Sequence, residues 1–226
     1  MKKIFFVSLV LFLTCAFVPQ KKTKVIFFGD SITELGVKKD GYVGYIVRMD
    51  SMLKVEKKND QYDLIGSGVS GNKVYDLYLR LEDDVLSKNP DVVVIYVGVN
   101  DVWHKTLLGT GTDADKFEKF YLAILKKLKD KNIKAILCTP AVVGEKTDMS
   151  NQLDGDLNRY SNIIRDMAKK NNLPLIDLRQ KFYDYEKMNN PENKEKDILT
   201  YDRVHMNSKG NQFLADHMWK VLKEIK

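Results

Sequence analysis

Residues 24–33 read KVIFFGDSIT, an apolar run that ends in Gly29-Asp30-Ser31. Four large apolar residues in a row, followed at once by a glycine, predict a short buried strand and then a turn. In parallel α/β sheets, ligands bind outside the carboxyl ends of the strands. The stretch therefore predicts the first strand of such a sheet, with Ser31 at the edge where chemistry takes place.

Further along the chain, short apolar runs alternate with longer amphipathic segments. The runs are rich in Val, Ile and aromatic residues, which favours strands at residues 25–28, 62–65, 92–97, 135–138 and 175–176. Apolar residues at helical spacing predict helices at 42–57, 73–87, 115–131, 156–171 and 209–225. This alternation predicts a parallel sheet with helices on both faces. The sequence shows no internal repeat and no long linker, so we expect one domain over residues 21–226.

Two segments read as long loops, at residues 104–114 and 180–200. Loops of this length in a compact domain are often functional. Both adjoin the predicted site, and the sequence leaves open whether they close over a ligand.

The N-terminus has the pattern of a secretory signal peptide. Lys2 and Lys3 precede an apolar run at residues 4–13, and small residues follow. We expect residues 1–20 to be removed and the protein to be secreted or periplasmic, with no stable membrane span after cleavage. A retained anchor is one alternative. Lipoprotein processing at Cys15 is another, which Thr14 disfavours.

Composition and charge set limits on the partners. The 226 residues are 44% hydrophobic and 30% charged, as in ordinary globular proteins, and the net charge is +6. The lysines are dispersed and no nucleic-acid-binding motif occurs, so we expect no nucleic-acid partner. Oligomeric state is left open.

The chain has two cysteines, Cys15 and Cys138. Loss of Cys15 would leave Cys138 alone, so the mature chain can form no internal disulfide, and Cys138 is expected to pack as a small hydrophobe.

Polar residues follow several of the predicted strands. Gly29-Asp30-Ser31 follows the first, a glycine-rich stretch at 66–72 follows the second, and Gly98-Val99-Asn100-Asp101 follows the third. Asp202-Arg203-Val204-His205 comes just before the final helix. Taken alone, each of these segments could simply form a turn or a helix cap. Their joint placement at one sheet edge instead favours an active site.

Each of these residues has a role in ester hydrolysis. A serine hydroxyl becomes a nucleophile when a positioned base accepts its proton, and His205 can be that base for Ser31, held by Asp202. The oxyanion that forms needs fixed donors. The backbone N–H groups of Ser31 and Gly71 and the side-chain amide of Asn100 are the candidates.

These four blocks resemble those of the SGNH, or GDSL, hydrolase superfamily. The family's Ser, Gly, Asn and His fall at Ser31, Gly71, Asn100 and His205, and Ile32 stands where the GDSL motif has leucine. The resemblance spans essentially the whole chain after the signal peptide. It implies a flavodoxin-like three-layer α/β/α sandwich, the SGNH-hydrolase fold, with a five-stranded parallel sheet in the order 2-1-3-4-5.

The remaining polar and aromatic residues near the site are candidates for the substrate pocket. Asp30, Asp101, Trp103 and His104 could line it. Asp101 could instead anchor a loop, Trp103 could pack in the core, and His104 could be an exposed loop residue. The chain has no Gly-x-Ser-x-Gly elbow, which argues against the α/β-hydrolase fold. No His, Cys and carboxylate cluster has metal-ligand spacing, so we expect no metal and no cofactor.

The sequence thus predicts a serine esterase that cleaves short-chain, in particular acetyl, oxygen esters through an acyl-enzyme. Analogy with the family favours an acetylated carbohydrate as the substrate, so the expected partner is a small-molecule or glycan ester. One alternative is a lysophospholipase or acyl thioesterase that takes longer chains. Another is an inert glycan-binding module on the same fold.

Overall fold

The protein, represented by a computed structural model, is described over residues 21–38 and 41–225. The predicted signal peptide, residues 1–20, lies outside the described residues. The strands form one sheet in the order β2-β1-β3-β4-β5, and every neighbouring pair is parallel. The strands are β1 (Thr23–Gly29), β2 (Tyr62–Gly68), β3 (Val92–Tyr96), β4 (Lys134–Cys138) and β5 (Leu175–Ile176). The predicted sheet and strand order are confirmed.

Helices connect these strands and end the described chain. They are α1 (Ser31–Gly36), α2 (Tyr45–Val55), α3 (Val74–Asp84), α4 (Val99–Leu108), α5 (Ala114–Asp130), α6 (Asp154–Lys170), α7 (Leu178–Asn189) and α8 (Ser208–Leu222). Within the described ranges, none of them is both long and apolar enough to cross a bilayer.

The two faces of the sheet are covered by different helices. Phe27 of β1 packs edge-on against Tyr45 of α2, with ring centroids 5.7 Å apart, whereas the next residue, Phe28, lies under Arg80 of α3. Because successive strand side chains point to opposite faces, α2 and α3 lie on opposite sides. Helix α8 packs beside α2, while α5 and α6 continue the layer of α3. The three-layer sandwich is confirmed.

The register of the sheet brings the functional segments to one edge. Gly29 of β1 is aligned with Gly68 of β2 and with Tyr96 of β3, so the segments after all three strands leave the sheet at one level. A Cβ at Gly68 would collide with the backbone nitrogen of Glu34, so only glycine lets α1 pack directly on the end of β2.

The prediction of two long loops, at residues 104–114 and 180–200, is wrong in part, because helices occupy part of each segment. Helix α4 extends to Leu108, so the loop is confined to the residues between α4 and α5, and α7 occupies most of the first half of 180–200. Helix α7 buries Leu178, Phe182 and Glu186, an i, i+4, i+8 stripe in which only two residues are apolar, together with the charged Arg179. So narrow a stripe gives little hydrophobic periodicity to read. Helix α1 was not predicted, because it has only six residues.

Candidate active site

Ser31 is the first residue of helix α1, immediately after β1. Asp30 is the N-cap of this helix, and its Oδ1 accepts a hydrogen bond from the Ile32 N–H at 3.0 Å. The first N–H groups of a helix have no partner within it. In the described ranges, no acceptor lies within hydrogen-bonding reach of the N–H of Ser31 or of Gly71. Both groups are therefore available to a ligand.

His205 and Asp202 come to Ser31 from the far end of the chain. The His205 Nε2 lies 2.9 Å from the Ser31 Oγ, and the His205 Nδ1 lies 2.7 Å from Asp202 Oδ2. A carboxylate can only accept, so Nδ1 carries the proton and Nε2 is left as an acceptor facing the serine. This geometry would let His205 act as the base for Ser31, with Asp202 orienting the imidazole.

The carboxylate of Asp202 is held by its own loop. Besides the imidazole, it accepts the backbone N–H groups of His205 at 2.7 Å and of Val204 at 3.1 Å. Partial burial raises the pKa of Asp202, but these hydrogen bonds outweigh that effect and hold the pKa below its ordinary value. The ring of Tyr201 stacks on the imidazole, with centroids 5.9 Å apart, and so supports the ring from one face.

The other two predicted donors also converge on this edge. Gly71 has a φ of +77°, a conformation that L side chains rarely adopt. Asn100 lies in the first turn of α4, is almost fully buried, and donates from Nδ2 to the carbonyl of Asn72 at 3.1 Å. This bond ties the Asn100 amide to the residue after Gly71 and leaves its second N–H hydrogen for a ligand.

Asp30 and Asp101 lie beneath the site and not on its surface. They are 2% and 0% exposed. Both oxygens of Asp101 accept the N–H of Val74, at 3.1 and 3.2 Å, which anchors the start of α3 to α4. Burial raises the pKa of Asp30 to about 6 and of Asp101 to about 7. The two carboxyls thus lie below the surface that a ligand would meet.

Trp103 and His104 lie on α4, close to the site. Trp103 lines a cleft of about 330 Å³ with Lys146, Glu195 and Arg203, the last of which directly follows Asp202. The ring of His104 faces Gly71: its Cε1 would be 3.8 Å from a Cβ at that position. Its Nδ1 has no hydrogen-bond partner among the residues the structure describes, and burial lowers its pKa, with the charge of Lys73 adding to the effect.

Arg80 is a residue of the site that the sequence did not reveal. Its guanidinium donates to the carbonyl of Gly29 at 2.7 Å, to the carbonyl of Ser67 at 3.1 Å and to the Asn72 side chain at 2.7 Å. It therefore links the end of β1 to the segment that contains Gly71. On a predicted amphipathic helix, such an arginine reads as one more solvated cation, and no sequence signal separates it from the others.

Metal-binding groups do not gather at this site. Within residues 21–38 and 41–225, no set of three His, Cys, Asp or Glu side chains is placed to hold a metal ion. Cys138 is buried and free, and burial raises the pKa of its thiol. The expectation that it packs as a small hydrophobe is consistent with this position.

Comparison with known families adds the decisive observation. The model of the GDSL-like Lipase/Acylhydrolase family matches residues 27–213, from β1 to α8. The chain belongs to this family. As a GDSL hydrolase it is a serine esterase that acts on carboxylic esters, and the predicted family and enzyme class are confirmed.

Several relatives of this GDSL hydrolase are known. The crystal structure of the acetyl xylan esterase AlAXEase is 65% identical, covers 87% of this chain and 98% of its own, and has a TM-score of 0.85. A mutant form of Axe2, an acetyl-xylooligosaccharide esterase from Geobacillus, is 26% identical, covers 88% and 94% of the two chains, and has a TM-score of 0.77. The "Acetylxylan esterase" of Geobacillus stearothermophilus is 29% identical over 209 residues, which cover 85% of this chain and 90% of that protein.

Proposed function

We propose that this GDSL hydrolase removes O-acetyl groups from carbohydrates through an acetyl-enzyme on Ser31. The observation that carries the proposal is the continuous line from Asp202 through His205 to Ser31, with contacts of 2.7 and 2.9 Å. The similarity to enzymes named acetylxylan esterases supports the acetyl and carbohydrate parts.

The reaction follows from this geometry. His205 Nε2 takes the Ser31 proton as Oγ attacks the acetyl carbonyl, and the N–H groups of Ser31 and Gly71 with the Asn100 amide receive the oxyanion. The intermediate collapses, the C–O bond to the sugar breaks, and the imidazolium returns its proton to the sugar oxygen. Water, deprotonated by His205, then attacks the acetyl-enzyme and releases acetate and the free serine.

The cleft next to the site favours a polar carrier for the acyl group. The cleft beside the Asp202–His205 segment joins the aromatic face of Trp103 to the polar heads of Lys146, Glu195 and Arg203, a combination that suits a sugar ring. A more apolar cavity of about 420 Å³ lies by Lys134, at the start of β4 and so at the opposite edge of the sheet from Ser31. An acyl chain bound to Ser31 would not enter it.

Initial rates on acetyl, butyryl and decanoyl p-nitrophenyl esters, together with acetate release from acetylated xylo-oligosaccharides, test the proposal. We expect kcat/KM to fall as the acyl chain lengthens and acetate to be released from the oligosaccharide. A preference for the decanoyl ester would instead favour the lysophospholipase or thioesterase alternative. Binding of the oligosaccharide without any hydrolysis would favour the inert module.

Export is the second part of the proposal. Residues 1–20 carry the signal-peptide pattern, and one relative of this chain, 26% identical over 195 residues, is the "Uncharacterized lipoprotein YqeF" of Bacillus subtilis. Mass spectrometry of the mature protein from the culture medium or periplasm should find an N-terminus between residues 17 and 21. An intact Met1, or a lipid on Cys15, would contradict this processing.

A further inference from the structure

The segment that carries Asp202 and His205 has little regular structure of its own. Between α7 and α8 the structure has one isolated bridge, between Thr200 and Met206, and a hydrogen bond from the Tyr201 N–H to the His205 carbonyl at 3.0 Å. Asp202 and its neighbours at the tip are exposed. The Asn207 N–H also donates to the carbonyl of Leu199 at 2.9 Å, and contacts from outside the segment add to these internal bonds in fixing the imidazole.

Glu145, in the loop after β4, supplies three contacts of this kind, and Tyr42 supplies another through its bond to the carbonyl of Met206 at 2.7 Å. The Glu145 side chain is fully buried, and its two carboxylate oxygens accept three consecutive backbone N–H groups: Ile198 at 2.8 Å, Leu199 at 2.7 Å and Thr200 at 2.7 Å. Hydrogen bonds to a carboxylate are stronger than neutral ones. One side chain thus holds the base of the catalytic segment.

The backbone around Glu145 holds the same segment at further points. The Gly144 N–H donates to the carbonyl of Arg203, and the Glu145 N–H donates to the carbonyl of Glu195, both at 2.9 Å. The Asn190 amide donates to the Glu145 carbonyl at 2.8 Å. Residues 144 and 145 therefore contact both the base of the segment and its tip, next to Asp202.

The three N–H donors favour the ionised form of the Glu145 side chain. Burial raises the pKa of Glu186 to about 9, with the charge of Glu145 adding to the effect, so Glu186 is protonated at neutral pH. Asp154 and Arg179, which are also buried, form an ion pair at 2.6 Å. Burial also raises the pKa of Glu145, and the three N–H groups oppose that rise.

We propose that Glu145 is a positioning residue for ester hydrolysis: its carboxylate fixes residues 198–200 so that the Asp202–His205 pair faces Ser31. The inference rests on the proposed catalytic roles of these residues. Glu145 acts through His205 and does not itself contact the substrate.

Glu145→Gln tests this with nearly the same side-chain shape. Either orientation of the amide places an NH₂ group against at least one of the three N–H donors, so the segment must move. A displacement of about 1 Å costs up to about 10²-fold in rate, so we expect kcat on p-nitrophenyl acetate to fall by about 10²-fold with little change in KM. The NMR signal of the His205 Nδ1 proton should broaden or vanish, and the amides of residues 198–200 should exchange faster with solvent.

Glu192→Gln is the matched control. It makes the same change in the same region, but the Glu192 side chain is exposed and pairs with Lys194 at the surface. Wild-type kcat and an intact His205 signal are expected for it. A folded Glu145→Gln protein with wild-type kcat, or with a raised KM alone, would overturn the inference.

Two further measurements keep the test decisive. If Glu145→Gln does not fold, Glu145→Asp takes its place, since it keeps the charge but withdraws it by one methylene, and we expect a partial loss of kcat. In the wild-type protein, fast exchange of the amides of residues 198–200 would refute the inference without any variant. Turnover by Ser31→Ala would refute the proposed function itself, whereas an inactive Ser31→Ala beside a fully active Glu145→Gln would refute the role of Glu145 alone.

Discussion

Replacing Asp202 by asparagine changes one atom and should reverse the protonation of the catalytic imidazole. The Oδ1 of Asp202 accepts two backbone N–H groups, from His205 at 2.7 Å and Val204 at 3.1 Å, and only an oxygen can do this. In Asp202→Asn the amide oxygen is therefore retained there, and the NH₂ group faces His205 Nδ1. Nδ1 must then accept, the ring proton moves to Nε2, and Nε2 can no longer take the proton of Ser31.

The expected loss follows from this change of tautomer. The equivalent substitution in a serine protease lowers kcat about 10⁴-fold. The side chain of Asp202 is 40% exposed, so water can take over part of its role. We expect kcat to fall by about 10³–10⁴-fold, which corresponds to about 4–5.5 kcal/mol of transition-state stabilisation.

Steady-state hydrolysis of p-nitrophenyl acetate by the purified variant measures this loss. Circular dichroism checks the fold, and Asp63→Asn, the same change at an exposed position in β2, serves as the control with wild-type kinetics. An Asp202→Asn protein that is folded and keeps kcat within about tenfold of the wild type would refute the assignment, because loss of general-base catalysis costs at least about 10²-fold.

Three other outcomes are expected. Ser31→Ala should abolish turnover of p-nitrophenyl acetate and leave the circular dichroism spectrum unchanged, whereas turnover by the pure variant would exclude Ser31 as the nucleophile. Asn100→Ala should lower kcat by about 10²–10³-fold, the usual loss for one oxyanion donor, and an unchanged kcat would remove Asn100 from that role. Burial pushes the pKa of Asp177 up, but the two hydrogen bonds and the charge of Arg165 hold the pKa below its ordinary value of 3.8. The stabilisation by this ion pair is then present at neutral pH and lost as pH falls below about 4. Arg165→Ala should therefore lower the free energy of unfolding, measured by urea titration, by about 1 kcal/mol at pH 7 and by much less at pH 3. Equal losses at both pH values would contradict the ion pair.

Much of the fold could be read from local patterns. Strand β3 is a continuous run of large apolar residues and β1 contains one from Val25 to Phe28, and such runs mark strands that are buried on both faces. The long amphipathic helices α5 and α6 carry a clear apolar stripe. The short helices α1 and α4 could not be read in this way, since each has too few turns to show a period and both begin in segments whose glycines and polar residues resemble turns.

Some residues of the candidate site could likewise be predicted from the sequence, and others could not. Ser31, Asn100 and the Asp202–His205 pair stand out because they occur together, directly after strands or just before a helix, although each alone could be a turn or cap residue. Arg80 and Glu145 do not stand out, because a charged residue on an amphipathic helix or in a polar loop is ordinary in any sequence. What makes these two unusual is the set of backbone groups around them, and that set exists only after folding.

By itself, the sequence determined the order of the strands and of the long amphipathic helices, and the residue types available for ester hydrolysis, since both depend on side-chain polarity read along the chain. Only the tertiary structure decided that the His205 ring meets Ser31 from 174 positions away in the chain, that Asp30 and Asp101 are buried anchors, and that Glu145 holds the catalytic segment. The physical reason is that these relations depend on distance and on exclusion of water. Both are set by the register of the sheet and the packing of helices on it, and neither can be calculated from neighbours in the chain.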